Sequence, residues 1–214
     1  MERLDDIAER IRADFSARDE VRDEALRQSR EVIRFCATAI RSVHRDEREK
    51  AREIIGQADS VAAEMVGALE PYPDLLYAGY TQDALKELVE AHLTFDMVTG
   101  SPLTEPEALG VWVSSSAYLG GLCEAASELR RRCLDLLRRG RTEEAERLLS
   151  LMDTAYATLT TFDFPDAITH GLRRRVDQLR GVLERTRGDL TQALRQDRLM
   201  EALSRFENQI LEAD

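Results

Sequence analysis

Lysine is almost missing from this chain. Only Lys50 and Lys86 stand among thirty Lys and Arg residues, against forty-one Asp and Glu, and the formal net charge is −11. That balance excludes a broadly basic surface of the kind that grips nucleic acid indiscriminately, so any polyanion site must be local. Cysteine is scarce as well. Cys36, Cys123 and Cys133 are odd in number and lack metal-ligand spacing, which argues against a disulfide framework and a zinc site and leaves them as small core residues. No apolar run approaches the ~18 residues of a membrane span, and the opening MERLDDIAERIR is charged where a signal peptide is apolar. The expectation is a soluble, cytoplasmic protein with no membrane partner.

Glycine and proline, eleven and five in all, fall between periodic segments, and no stretch alternates in the manner of a strand. The chain therefore reads as all-α, and 214 residues suit one domain spanning 1–214. A first helix is expected from Arg3 to Val43, with a break near Ser16 and an apolar face of Val21, Ala25, Val32, Cys36, Ala39 and Val43. A second runs from Asp46 to Leu69 and stops before Pro71 and Pro73. Thr81 is the expected N-cap of a third, to Val98, and SPLTEP is a loop. The fourth covers Gly110 to Arg139, Thr142 caps the fifth, and FDFPDA precedes a segment from Asp166 to Leu194 and a last helix ending near Ile210.

Two glutamate pairs carry the chemistry. Glu87/Glu90 in KELVEAHLTF and Glu124/Glu128 in YLGGLCEAASELRRR are each spaced to lie side by side on a helix. Should the two helices meet, four carboxylates converge, the oxygen-rich set that a hard cation such as Mg²⁺ requires. Leu85, Leu88, Val89 and His92 define the opposite face of the third helix, so periodicity alone reads Glu87 and Glu90 as solvated. Glu124 and Glu128 share their face with Ala117 and Gly121. A helical glycine costs roughly 1 kcal/mol relative to alanine, which makes sense where another backbone or a substrate comes close.

On the first helix, Arg27, Arg30, Arg34, Arg41 and Arg45 fall within about 60° of one another, opposite the apolar face. They form a rail roughly 27 Å long. Two readings fit it: a track for a phosphate backbone, or a solvated face paired with neighbouring acids. Arg173, Arg174 and Arg175 form a second basic run and Arg130 to Arg132 a third. His92, one turn past the first pair, either orients a nucleic acid or is a core histidine. No nucleophile constellation and no Gly-rich phosphate loop is present.

These residues resemble a known family. FSARDEVRDEALRQSREVIRFCATAIRSVHR resembles the long first helix of translin and its partner, translin-associated factor X. KELVEAHLTF resembles the partner's E-x-x-E helix, YLGGLCEAASELRRR its Y-L-x-G-x-x-D-x-x-x-E-L segment, and GLRRRVDQLRGVLE the family's basic L-R-K-R-x-D-x-L-K helix. The likeness runs in order from Phe15 to beyond Glu184.

The resemblance implies an all-α translin-like bundle of about seven helices with a long N-terminal helix. It implies assembly into a closed homo-oligomer, an octamer, around RNA or single-stranded DNA. It also implies Mg²⁺-dependent cleavage of single-stranded RNA, with Mn²⁺ as the alternative ion. Glu87, Glu90 and Glu128 match the partner's catalytic glutamates, and Glu124 stands where the partner has aspartate. Arg27, Arg30, Arg34, Arg41, His92, Arg173, Arg174 and Arg175 would hold the strand. The alternative within the family is a translin-type protein that binds single strands without cutting them.

Overall fold

The structure, a computed structural model, describes residues 2–211. Among them it is all helical: α1 (Glu2–His44), α2 (Arg48–Leu69), α3 (Pro73–Leu76), α4 (Gly79–Thr99), a 3-10 turn (Pro106–Leu109), α5 (Ser115–Leu137), α6 (Thr142–Leu159), α7 (Asp166–Thr169) and α8 (Leu172–Leu211). No helix among the described residues is long and apolar enough to cross a membrane. The chain forms two compact units, Met1–Leu122 and Cys123–Asp214.

In the first unit α1 packs on both α2 and α4, and α2 packs on α4. The α1 face of Ala25, Val32, Cys36, Ala39 and Val43 is buried, as are Ala51, Ile55, Ala58, Ala62 and Met65 of α2. So many alanines let the helix axes approach closely, and Leu85, Leu88 and Leu93 of α4 fill the space that remains. Helix α1 runs through Ser16 without a break. A single serine costs only a few tenths of a kcal/mol inside a helix and removes no backbone donor.

Helix α4 begins two residues before Thr81, with Ala78 at its N-cap. The Thr81 hydroxyl instead donates to the carbonyl of Leu75, 2.9 Å away, and ties α3 to α4. Gly100, at φ 80°, ends α4 with its N–H on the Asp96 carbonyl. The Asp96 carboxylate then accepts both the N–H and the hydroxyl of Thr104 at 2.8 Å, fixing the loop that follows. Gly110, also left-handed at φ 70°, closes the 3-10 turn. The next helix therefore starts at Ser115 rather than at Gly110. Its cap is Ser114, whose Oγ accepts the Ala117 N–H and donates to Gln82 of α4.

In the second unit α6 packs on α8. Leu148, Met152 and Leu159 are buried, as are Leu172, Leu179 and Leu183. Arg187 of α8 donates to both oxygens of Asp153 of α6 at 2.7 and 2.8 Å, and Arg130 of α5 reaches Asp189 of α8 at 2.8 Å. Thr142 is the first helical residue of α6, not its cap, and its hydroxyl donates to Asp197. The segment expected from Asp166 is split: His170 and Gly171 take φ 46° and 81°, and Asp166 accepts the Gly171 N–H. Beyond them α8 is one helix of 40 residues, with no break near Leu194, because neither glycine nor proline follows Gly188.

Candidate metal centre

Helix α4 is buried nearly all the way round. Lys86, Leu88, Val89, Ala91 and every residue from Leu93 to Val98 are buried, so the helix is enclosed rather than amphipathic. Glu87 and Glu90 are consequently half-buried, and the solvated placement that periodicity suggests for them is corrected. Their surroundings are acidic. Burial raises the Cys36 thiol well above its ordinary value, and the nearby charges of Glu87, Asp59 and Glu90 push it in the same direction. Lys86 Nζ donates to Glu87 at 2.9 Å, and His92 Nε2 lies 2.8 Å from Asp59 of α2.

Helix α5 meets α4 at Gly121, where a β-carbon would stand 2.8 Å from the carbonyl oxygen of Lys86. That contact explains the helical glycine. The helix is unbroken through this region, so Glu124, one turn further on the same face, is set relative to α4 by the Gly121 contact itself. One carboxylate oxygen from each of Glu87, Glu90 and Glu124 lies within 4.8 Å of the others. Three hard oxygen donors at that spacing suit a small divalent cation, whose ligands at about 2.1 Å stand roughly 3 to 4 Å apart.

Glu128 is not in this group. It lines a surface groove with Arg130, Arg131 and Arg138. Glu124 also accepts a hydrogen bond from Arg175 Nε at 3.2 Å, while Arg175 Nη1 donates to the His170 carbonyl at 2.6 Å. Arg175 is thus turned inward on a carboxylate, whereas Arg173 and Arg174 are exposed. Along α1, Arg27, Arg30, Arg34 and Arg41 are all exposed, as is Arg45 in the turn just past its end. Neighbouring side chains on the helix engage part of that rail: Arg27 pairs with Glu24 and Glu31, Arg34 pairs with Glu31, and Arg41 donates to the Thr38 hydroxyl.

Sequence reasoning missed Asp59 and Lys86. No spacing links Asp59 to the glutamate pairs, so nothing in the sequence singles it out. Lys86 could have been found as one of only two lysines in the chain.

No family model matches this chain. Solved structures do. The structure of AfC3PO in complex with duplex RNA superposes with a TM-score of 0.80 at 32% identity, over 87% of this chain and 95% of that one. A crystal structure of AfC3PO gives 0.80 at 33%, over 87% and 96%. The chain belongs to the translin family. Apo-NeC3PO, at 19% identity and a TM-score of 0.78, shares the translin fold. An uncharacterized protein of Methanocaldococcus jannaschii is 29% identical over 191 residues, 89% of this chain and 84% of its own length.

Proposed function

We propose that this translin-family chain is the subunit of a homo-oligomeric, Mg²⁺-dependent endoribonuclease that cuts single-stranded RNA within a closed, octameric shell in the cytoplasm. The observation that carries this reading is the approach of Glu87, Glu90 and Glu124 to one another. These three would hold Mg²⁺, or Mn²⁺ in its place, while Glu128, one turn beyond Glu124, lines the neighbouring groove. Such an ion lowers the pKa of an attacking water and stabilises a leaving oxygen. The carboxylates would fix where such an ion sits; α4, buried along most of its length, holds Glu87 and Glu90, and the Gly121 contact holds Glu124.

Arg27, Arg30, Arg34, Arg41, Arg173 and Arg174 would bind phosphates without reading bases, His92 would steady the strand, and Arg175 would hold Glu124. The relative at 32% identity that was solved with duplex RNA supports an RNA ligand for this chain. Single strands are the favoured substrate because a flexible backbone can present its phosphodiester in line inside an enclosed centre. Single-stranded DNA would bind the same arginines.

A second reading, a translin-type protein that binds without cutting, is favoured by one observation. Lys86 and Arg175 already balance Glu87 and Glu124. One experiment separates the two. End-labelled RNA, single-stranded and as a duplex, is incubated with the protein in Mg²⁺ or EDTA, beside Glu87→Gln and Glu124→Gln. Cleavage of the single strand in Mg²⁺ alone, falling at least ~100-fold in both variants, is the expected result. Salt-sensitive binding with no cleavage would establish the second reading, and cleavage in EDTA would overturn the first.

A further inference from the structure

The chain has two lysines, and they stand in opposite surroundings. Lys50 is solvated and pairs with Glu47 at the start of α2. Lys86 is 9% exposed, and its ammonium donates at 2.9 Å to Glu87, one of the three carboxylates of the candidate metal centre. A lysine so enclosed needs an anionic partner, because its ammonium has lost most of its hydration.

The acids need the lysine in turn. Glu87, Glu90 and Glu124 bring oxygens within 4.8 Å of one another, and all three are half-buried. Carboxylates that close repel one another, and water screens them poorly there. Lys86 offsets part of this repulsion at Glu87. A divalent cation would do so at the same carboxylate, which makes the ammonium and the ion alternatives for it. Arg175 on Glu124 is different, because its guanidinium is tied to the His170 carbonyl as well and acts as a fixed brace. Lys86 carries a compact charge on a flexible four-carbon stem. That stem starts from an enclosed helix, so an ammonium that gives up Glu87 stays beside the ion and opposes it.

We propose that Lys86 is a built-in competitor for the cation of this site: it holds the Glu87 carboxylate until an ion takes it, and it keeps that ion weakly bound and exchangeable. The proposal rests on the three-carboxylate metal reading above and not on RNA cleavage. It gives the Lys86–Glu87 pair a meaning other than the one it has for a protein that binds without cutting. Charge balance here sets how tightly an ion is held and does not exclude one.

The test is ion binding by the full, RNA-free chain at one fixed pH. Mn²⁺ is titrated into the parent protein, Lys86→Met and Lys86→Arg, each first stripped with EDTA, and free Mn²⁺ is read by electron paramagnetic resonance. Lys86→Met removes the charge and keeps the bulk of the stem, so it should bind Mn²⁺ at least ~10-fold more tightly, while Lys86→Arg stays within about three-fold of the parent. Loss of a merely structural lysine would weaken binding or leave it unchanged. Either result for Lys86→Met overturns the proposal, as does equal tightening in Lys86→Arg. The second arm uses the parent protein and so holds should Lys86→Met misfold. With two lysines in the chain, ¹³C labelling at lysine Cε gives two signals, assigned with Lys50→Arg. Mg²⁺ should shift the Lys86 signal and leave that of Lys50 in place, and a Lys86 signal that Mg²⁺ does not move overturns the proposal. Absence of Mn²⁺ uptake in parent and variants alike fells the metal reading and this proposal together. Uptake that Lys86→Met leaves unchanged fells the proposal alone, and uptake without RNA cleavage, read in a separate assay, fells only the nuclease reading.

Discussion

Gly121 has no side chain because Val89 fills the place where one would be: a β-carbon there would stand 2.6 Å from the β-carbon of Val89. The contact sets how α5 lies on α4 and, one turn later, where Glu124 stands. Gly121→Ala is therefore expected to lower stability by about 1–3 kcal/mol, since neither backbone nor branched side chain can yield cheaply. If the chain is the Mg²⁺-dependent nuclease proposed above, Gly121→Ala should also reduce cleavage, because moving α5 moves a carboxylate. Thermal unfolding and single-turnover cleavage check both, and an unchanged melting temperature would disprove the packing argument.

His92 and Asp59 join α4 to α2 through one polar contact of 2.8 Å. Removing the carboxylate in Asp59→Ala leaves a half-buried ring nitrogen without this partner, at a cost of about 1 kcal/mol. Denaturant unfolding of Asp59→Ala, His92→Ala and the double variant measures it. Fully additive losses would show that the two residues do not act as a pair.

The buried thiols predict an alkaline weakness. Burial, the largest cause in each case, pushes Cys123 up to about 12 and Cys133 up to about 11 from an ordinary 9.0. The folded chain keeps these protons where the unfolded chain releases them. Their contribution to stability is thus complete below pH 9 and is lost as the pH rises from there through about 11 and 12. Cys133→Ala should flatten the fall of melting temperature between pH 9 and 11, and an identical slope would contradict the assignment.

If the α1 rail carries phosphates, Arg30→Ala and Arg41→Ala will each weaken RNA binding by a similar factor for every sequence. Each should also reduce the slope of log affinity against log salt by about 0.7 for a single strand. Titrations at several salt concentrations read the slope. A loss of affinity confined to one RNA sequence would point to base contacts instead.

Much of the helix inventory is local information. The apolar face from Ala25 to Val43 is written at helical spacing, and the stop at Leu69 follows from prolines that cannot continue a helix, whereas α5 ends at Leu137, two residues before the expected Arg139, in a turn that left-handed Gly140 completes. The errors were local too. Ser16 and Leu194 looked like breaks, yet a helix needs a positive reason to stop and neither place offers one. Thr81 and Thr142 look like caps by residue type, but each hydroxyl is engaged across a tertiary contact. Helix α4 shows why periodicity failed at the site. A helix enclosed by neighbours has no solvent face for hydrophobic spacing to mark, so its two glutamates could not be told from filler.

By itself the sequence determined that the chain is helical, which residues share a face, and where acids pair at one-turn spacing, because each of these depends on neighbours within a few positions along the backbone. Only the tertiary structure decided that Glu124 joins Glu87 and Glu90 while Glu128 stands apart, and that Arg175 turns inward on a carboxylate. Those outcomes depend on how closely two helix backbones approach, a distance set at Gly121 and Val89 by packing between residues far apart in the chain.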